Sequence, residues 1–79
     1  MRVQVKLFAT LRHYAPSASI GRPFEMDLLE GAAVADLIHQ LNLPAEEAAM
    51  IYVNARARPV DWPLESGDEI GIFPLIGGG

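Results

Sequence analysis

The chain has 79 residues, 51% of them hydrophobic and 20% charged, which describes one globular domain that removes only about 60% of its unfolded surface from water. It has no Cys, so disulfides, Cys-bound zinc and a Cys nucleophile are excluded, and its apolar runs are too short for a membrane-spanning helix. Ten acids against six bases give a net charge of −4, and the deficit lies in residues 45–79, where Glu46, Glu47, Asp61, Glu65, Asp68 and Glu69 face only Arg56 and Arg58; such a chain repels nucleic acid and suits a basic protein surface.

Residues 2–9 alternate: Val3, Val5, Leu7 and Ala9 point one way, and Arg2, Gln4, Lys6 and Phe8 the other. This predicts a half-buried strand. The charges at Arg2 and Lys6 stand where a signal peptide would be apolar, so the expected location is the cytoplasm. Pro16, Ser17, Ser19 and Gly21 mark a loop. A second strand is expected over about 23–29, with Phe24, Met26 and Leu28 on one face.

The period then changes. Val34, Leu37, Ile38 and Leu41 form one stripe of an amphipathic helix that ends at Asn42 and Pro44. Its start is weakly specified, since Gly31 and Ala32 stand where Ser or Asp caps better. Pro44, Glu46 and Glu47 predict a short helical turn with Pro at its first position. Residues 50–54 read as a third strand, with a turn from Asn54. A short edge strand is expected at Arg58–Val60, a tight turn at Asp61–Leu64 and a hairpin-type turn at Ser66-Gly67-Asp68. The last strand covers 69–73, with Ile70 and Ile72 on one face and Phe73 on the other.

The order β-β-α-β-(short β)-β puts one helix over one sheet. The first two strands pair as a hairpin, the helix is the right-handed crossover, and the last strand lies beside the first or at an edge. The expected architecture is therefore α+β. It is a β-grasp, or ubiquitin-like, fold with a mixed sheet over residues 1–74 and a flexible tail over 75–79.

Catalytic patterns are sparse. His13 and His39 have no paired-ligand spacing, Ser17, Ser19 and Ser66 lie in no nucleophile elbow, and no phosphate-binding glycine pattern occurs. Glu46-Glu47 and Asp68-Glu69 are adjacent pairs, which diverge instead of converging on a substrate. No metal site is expected. The unusual feature is the end, Pro74-Leu75-Ile76-Gly77-Gly78-Gly79. Three glycines cost too much entropy to pack on the domain. Extended, these residues reach about 20 Å. Such a tail threads a narrow channel in a partner and presents its carboxylate with no Cβ beside the reacting carbon.

Three stretches carry a family resemblance: Val3-Gln4-Val5-Lys6-Leu7-Phe8-Ala9-Thr10-Leu11-Arg12, Tyr52-Val53-Asn54, and Pro63-Leu64-Glu65-Ser66-Gly67-Asp68-Glu69-Ile70-Gly71-Ile72-Phe73-Pro74 leading to the glycines. In these the chain resembles the MoaD/ThiS sulfur-carrier family, nearest to its MoaD branch, the small subunits of molybdopterin synthase. The resemblance implies a protein cosubstrate, not an enzyme alone. Its terminal glycine, here Gly79 preceded by Gly78, is adenylated by an E1-like enzyme of the MoeB/ThiF type that uses ATP, and is then thiocarboxylated. No cofactor is implied on the chain itself. The implied sulfur acceptor is a large subunit of the MoaE type. The Leu75-Ile76 pair departs from the Pro-Val-like pair frequent in MoaD. A ThiS-like carrier for thiamin thiazole synthesis is the alternative, together with carriers for cysteine or tungsten cofactor synthesis and a ubiquitin-like interaction module or modifier.

A tail that enters a partner needs its domain held against that partner. Phe73 and Leu75 are the expected apolar centre of that contact, with Glu65, Asp68 and Glu69 as an acidic rim meeting bases.

Overall fold

A computed structural model of the chain describes residues 1–75. Strand β1, Arg2–Leu7, lies within the sheet and buries Val3, Val5 and Leu7. It pairs antiparallel with β2, Phe24–Asp27, on one side and parallel with the last strand on the other. Helix α1, Val34–Gln40, is the crossover. Strands β3, Met50–Val53, β4, Arg56–Ala57, and β5, Glu69–Phe73, complete a mixed sheet in the order β2-β1-β5-β3-β4. The last strand is therefore central, between β1 and β3.

That placement builds the core. Val5, Ile70 and Val53 share one rung of the inner face, and Leu7, Ile72 and Ile51 share the next. Val34, Leu37 and Ile38 close over them from α1, while Leu41 remains half-buried at the rim. The connections add Leu11, Leu43, Ala48 and Leu64 to the core.

Several expectations are corrected in detail. The first strand ends at Leu7, not Ala9. Phe8 still donates its N–H to the Ile72 carbonyl at 3.1 Å, but Ala9 turns to φ +53° and starts a 3₁₀ segment, Ala9–Tyr14, that sends Leu11 into the core. The short edge strand is Arg56–Ala57, not Arg58–Val60. Asn54 and Ala55 both take positive φ, 51° and 70°, forming a two-residue hairpin turn that brings the chain back at once. Pro44 precedes the 3₁₀ turn Ala45–Glu47 instead of opening it.

The residues after β4 supply what the helix start lacks. The N–H groups of Val34 and Ala35 donate to the carbonyls of Trp62, at 3.0 Å, and Val60, at 2.8 Å. The Asp36 carboxylate accepts the Ala33 N–H at 2.8 Å. The orphan donors of a first helical turn are thus satisfied without a Ser or Asp cap. At the other end Asn42, at φ +58°, donates to His39 and Leu43 donates to Ile38, the paired bonds of a left-handed helix stop. At the sheet edge the exposed Arg2–Asp27 pair, at 2.9 Å, holds the Asp27 carboxyl below its usual range through the hydrogen bond first and the guanidinium charge second.

Ala55 provides a test of the hairpin. An alanine in the left-handed region carries strain of about 1–2 kcal/mol that glycine escapes, against glycine's greater loss of chain entropy. Ala55→Gly is expected to leave the fold unchanged and stabilise it by up to about 1 kcal/mol, measured by urea denaturation. Destabilisation would contradict the turn assignment.

Candidate functional site

With α1 on the inner face, the outer face of the sheet is left without a covering layer among the described residues. Strand alternation places Gln4 and Lys6 of β1, Glu69, Gly71 and Phe73 of β5, and Met50 and Tyr52 of β3 on it, with Phe8 at the end of β1. The Phe8 and Phe73 rings stack 4.0 Å apart and 9° from parallel, and Tyr52 meets Phe73 edge-on at 5.6 Å. Both phenylalanines are half-buried, each ring covering the other.

Gly71 permits this arrangement. A Cβ there would stand 3.3 Å from Phe8 Cε2, so the ring lies against bare backbone. Lys6 Nζ sits 5.0 Å from the Phe8 ring centroid, a cation on an aromatic face. Around these residues opens a concavity of about 640 Å³, whose apolar half carries Phe8, Phe73, Met50 and Tyr52. Met50 is 48% exposed, and Leu75, two residues past β5, is 77% exposed.

The apolar half adjoins the point where the chain leaves β5. Phe73 lines the concavity at that point, while Leu75, two residues on, is exposed and does not line it. Gly78 and Gly79 lie outside the described residues. The three acids are not a rim around Phe73. Glu69 shares its face but stands at the opposite end of the strand, about 13 Å away along it. Glu65 and Asp68 belong to the turn before β5. That turn is not a hairpin, since the strand it starts runs parallel to β1 and its Gly67 N–H donates to the Arg2 carbonyl at 2.8 Å.

Asp68 is occupied in that turn. One carboxylate oxygen accepts the Glu65 N–H at 2.8 Å, and the other accepts Asn54 Nδ2 at 2.9 Å. The Asn54 Oδ1 in turn accepts the Glu69 N–H at 2.9 Å. Asp68 and Asn54 thus lock the β3–β4 turn to the start of β5. Asp68→Ala is expected to cost about 1–2 kcal/mol of stability through the two lost bonds, seen as a lower denaturation midpoint. An unchanged midpoint would show the brace is idle.

No sequence pattern marks Tyr52, Met50, Gly71 and Lys6 as a group, since they come from three different strands. Alternation assigns Lys6 and Phe8 to the outer face and the expected pairing sets the second strand beside the first, but it leaves the last strand beside the first or at an edge; its place between β1 and β3 is what brings Phe73 onto Phe8. His13 and His39 are exposed, and among the described residues no cluster of three or more His, Asp or Glu could hold a metal. Among the described residues no helix is long and apolar enough to cross a membrane.

A helix packed on a five-stranded mixed sheet whose central last strand ends at an open aromatic face defines a β-grasp, ubiquitin-like domain. The chain belongs to the ThiS family, whose sequence profile matches residues 5–79. No curated protein matches it in sequence. Among solved structures, it is similar to the putative molybdopterin converting factor subunit 1 of Pyrococcus furiosus, with 29% identity, 95% of this chain and 98% of that one covered, and a TM-score of 0.70. It is also similar to SAMP1 of Haloferax volcanii, with 25% identity over the whole of both chains and a TM-score of 0.73. The complex of subunits 1 and 2 of the molybdopterin-converting factor of Helicobacter pylori contains the same fold, at 21% identity over the whole of both chains and a TM-score of 0.62.

Proposed function

We propose that the chain is a sulfur carrier of the MoaD type, the small subunit of a molybdopterin synthase. The Gly79 carboxylate attacks ATP in the site of an E1-like adenylating enzyme of the MoeB/ThiF type. Pyrophosphate leaves and an acyl adenylate forms. A sulfur nucleophile then displaces AMP, giving a thiocarboxylate that delivers sulfur in a large subunit of the MoaE type. The chain supplies the acyl group and the docking body; the ATP belongs to the activating partner, and the chain needs no cofactor of its own.

The observation that carries this reading is that the family match runs to Gly79 in a chain whose central strand ends beside the aromatic face. The likeness to the Pyrococcus furiosus converting factor subunit supports molybdopterin as the pathway, and thiazole synthesis is the alternative for the same carrier chemistry, supported by the ThiS family match. A second reading, a modifier joined to other proteins through the same glycine, draws on the likeness to SAMP1, which in Haloferax volcanii is a small archaeal modifier protein.

Phe73 tests the docking half of the proposal. Phe73→Ala removes the outer ring of the stack at the exit, and is expected to weaken binding to the large subunit and the adenylating enzyme by more than about 1 kcal/mol. Because Phe73 stacks on Phe8 and touches Tyr52, the same change costs the free domain about 1 kcal/mol as well, so affinity is compared by titration calorimetry well below the melting temperature. Unchanged affinity for both partners would place the interface elsewhere.

A further inference from the structure

Lys6 is the one lysine in the chain. The chain therefore offers two amines to an acyl donor, the Lys6 ε-amine and the Met1 α-amine. The fold treats them differently. The Met1 amine donates to the Leu28 carbonyl at 2.7 Å and lies 3.8 Å from the Glu30 carboxylate, while the Leu28 N–H donates back to the Met1 carbonyl at 2.8 Å. Met1 is half-buried, with its side chain packed on the core. Attack by this amine requires breaking that bracket. Lys6 has no carboxylate within 4.0 Å among the described residues. Its Nζ lies 5.0 Å from the Phe8 ring centroid, and the half-buried side chain lines the concavity of the open face.

We propose that Lys6 is an acylation site, and that its acyl donor is the activated C-terminal glycine of a second copy of this chain. The proposal rests on the reading that Gly79 is activated. The neutral Lys6 amine attacks the Gly79 carbonyl carbon of the donor copy. A C–N bond forms and the bond from that carbon to its leaving group breaks. AMP leaves from an adenylate, or a thiol from a thioester, and the amine proton passes to solvent. The product is an isopeptide-linked pair lighter than two free chains by one water. It removes the cation from the aromatic face and places a whole domain on the surface proposed to dock the sulfur-transfer partners. A copy acylated at Lys6 is consequently withdrawn from sulfur transfer.

The test uses the full chain prepared as a Gly79 thioester by intein cleavage, mixed with unactivated full chain, so no activating partner is needed. The linked product is digested and its branch point read by mass spectrometry. The expected result is linkage at Lys6 in the folded protein, loss of the conjugate in Lys6→Arg, and a rise of Met1 linkage when the same mixture is unfolded in guanidinium. Linkage at Met1 in the folded protein, or an equal distribution of the two products folded and unfolded, would overturn the proposal. So would a thioester that acylates an added small amine yet leaves Lys6 free. These outcomes are separate from failure of the carrier reading, which would appear as sulfur delivery that survives loss of Gly79.

Discussion

A chain shortened by Gly78 and Gly79 is expected to fold as the full chain does and to carry no sulfur. The fold survives because, among the described residues, every strand and every core residue precedes Pro74. Sulfur loading fails because the acyl carbon to be activated is gone, and Gly77, now at the end, is withdrawn from the activating site by two residues, about 7 Å of extended chain. An error of that size abolishes reaction where about 1 Å of misplacement already costs on the order of a hundredfold. Adding residues after Gly79 should be equally damaging, since it turns the carboxylate into an amide. The check is a denaturation curve together with sulfur delivery to the partner. Either variant retaining delivery would remove the carrier reading and leave an interaction module.

Leu37→Ala is expected to have the largest effect on stability. Leu37 is fully buried, and α1 is the one layer over the inner rungs of Val5, Ile70, Val53 and Leu7, Ile72, Ile51. Truncation removes the transfer energy and leaves a cavity, at a cost of about 2–5 kcal/mol. A domain of this kind has about 5–15 kcal/mol in all. On the same helix Gln40 is exposed and donates only to the Asp27 carbonyl, at 3.2 Å, so Gln40→Ala should cost under about 1 kcal/mol. Equal denaturation midpoints for the two variants would contradict the packing described here.

The two kinds of periodicity account for what could be read before the structure. Val3, Val5 and Leu7, then Ile70 and Ile72, announce half-buried strands, and Val34, Leu37 and Ile38 announce one helix face; these residues do form the core. Periodicity carries no record of which strands are neighbours, so the stacking of Phe8 on Phe73 and the placing of Lys6 against Phe8 are visible only in the folded chain. Non-periodic residues were opaque for a related reason. Leu11, Leu43 and Leu64 enter the core from 3₁₀ and turn segments where no repeat marks them. The helix start looked poor because its partners, the Trp62 and Val60 carbonyls, are distant in sequence. Asp68 looked like a free surface acid because the Asn54 amide that engages it lies on another turn.

The most direct test of the carrier reading is the intact mass of the full chain after coexpression with a MoeB/ThiF-type adenylating enzyme and a sulfur source. The expected result is a population heavier by the replacement of one oxygen with sulfur, located by fragmentation to Gly79 and reverting to the free acid on hydrolysis. A chain that binds that enzyme and is recovered with its mass unchanged would contradict it.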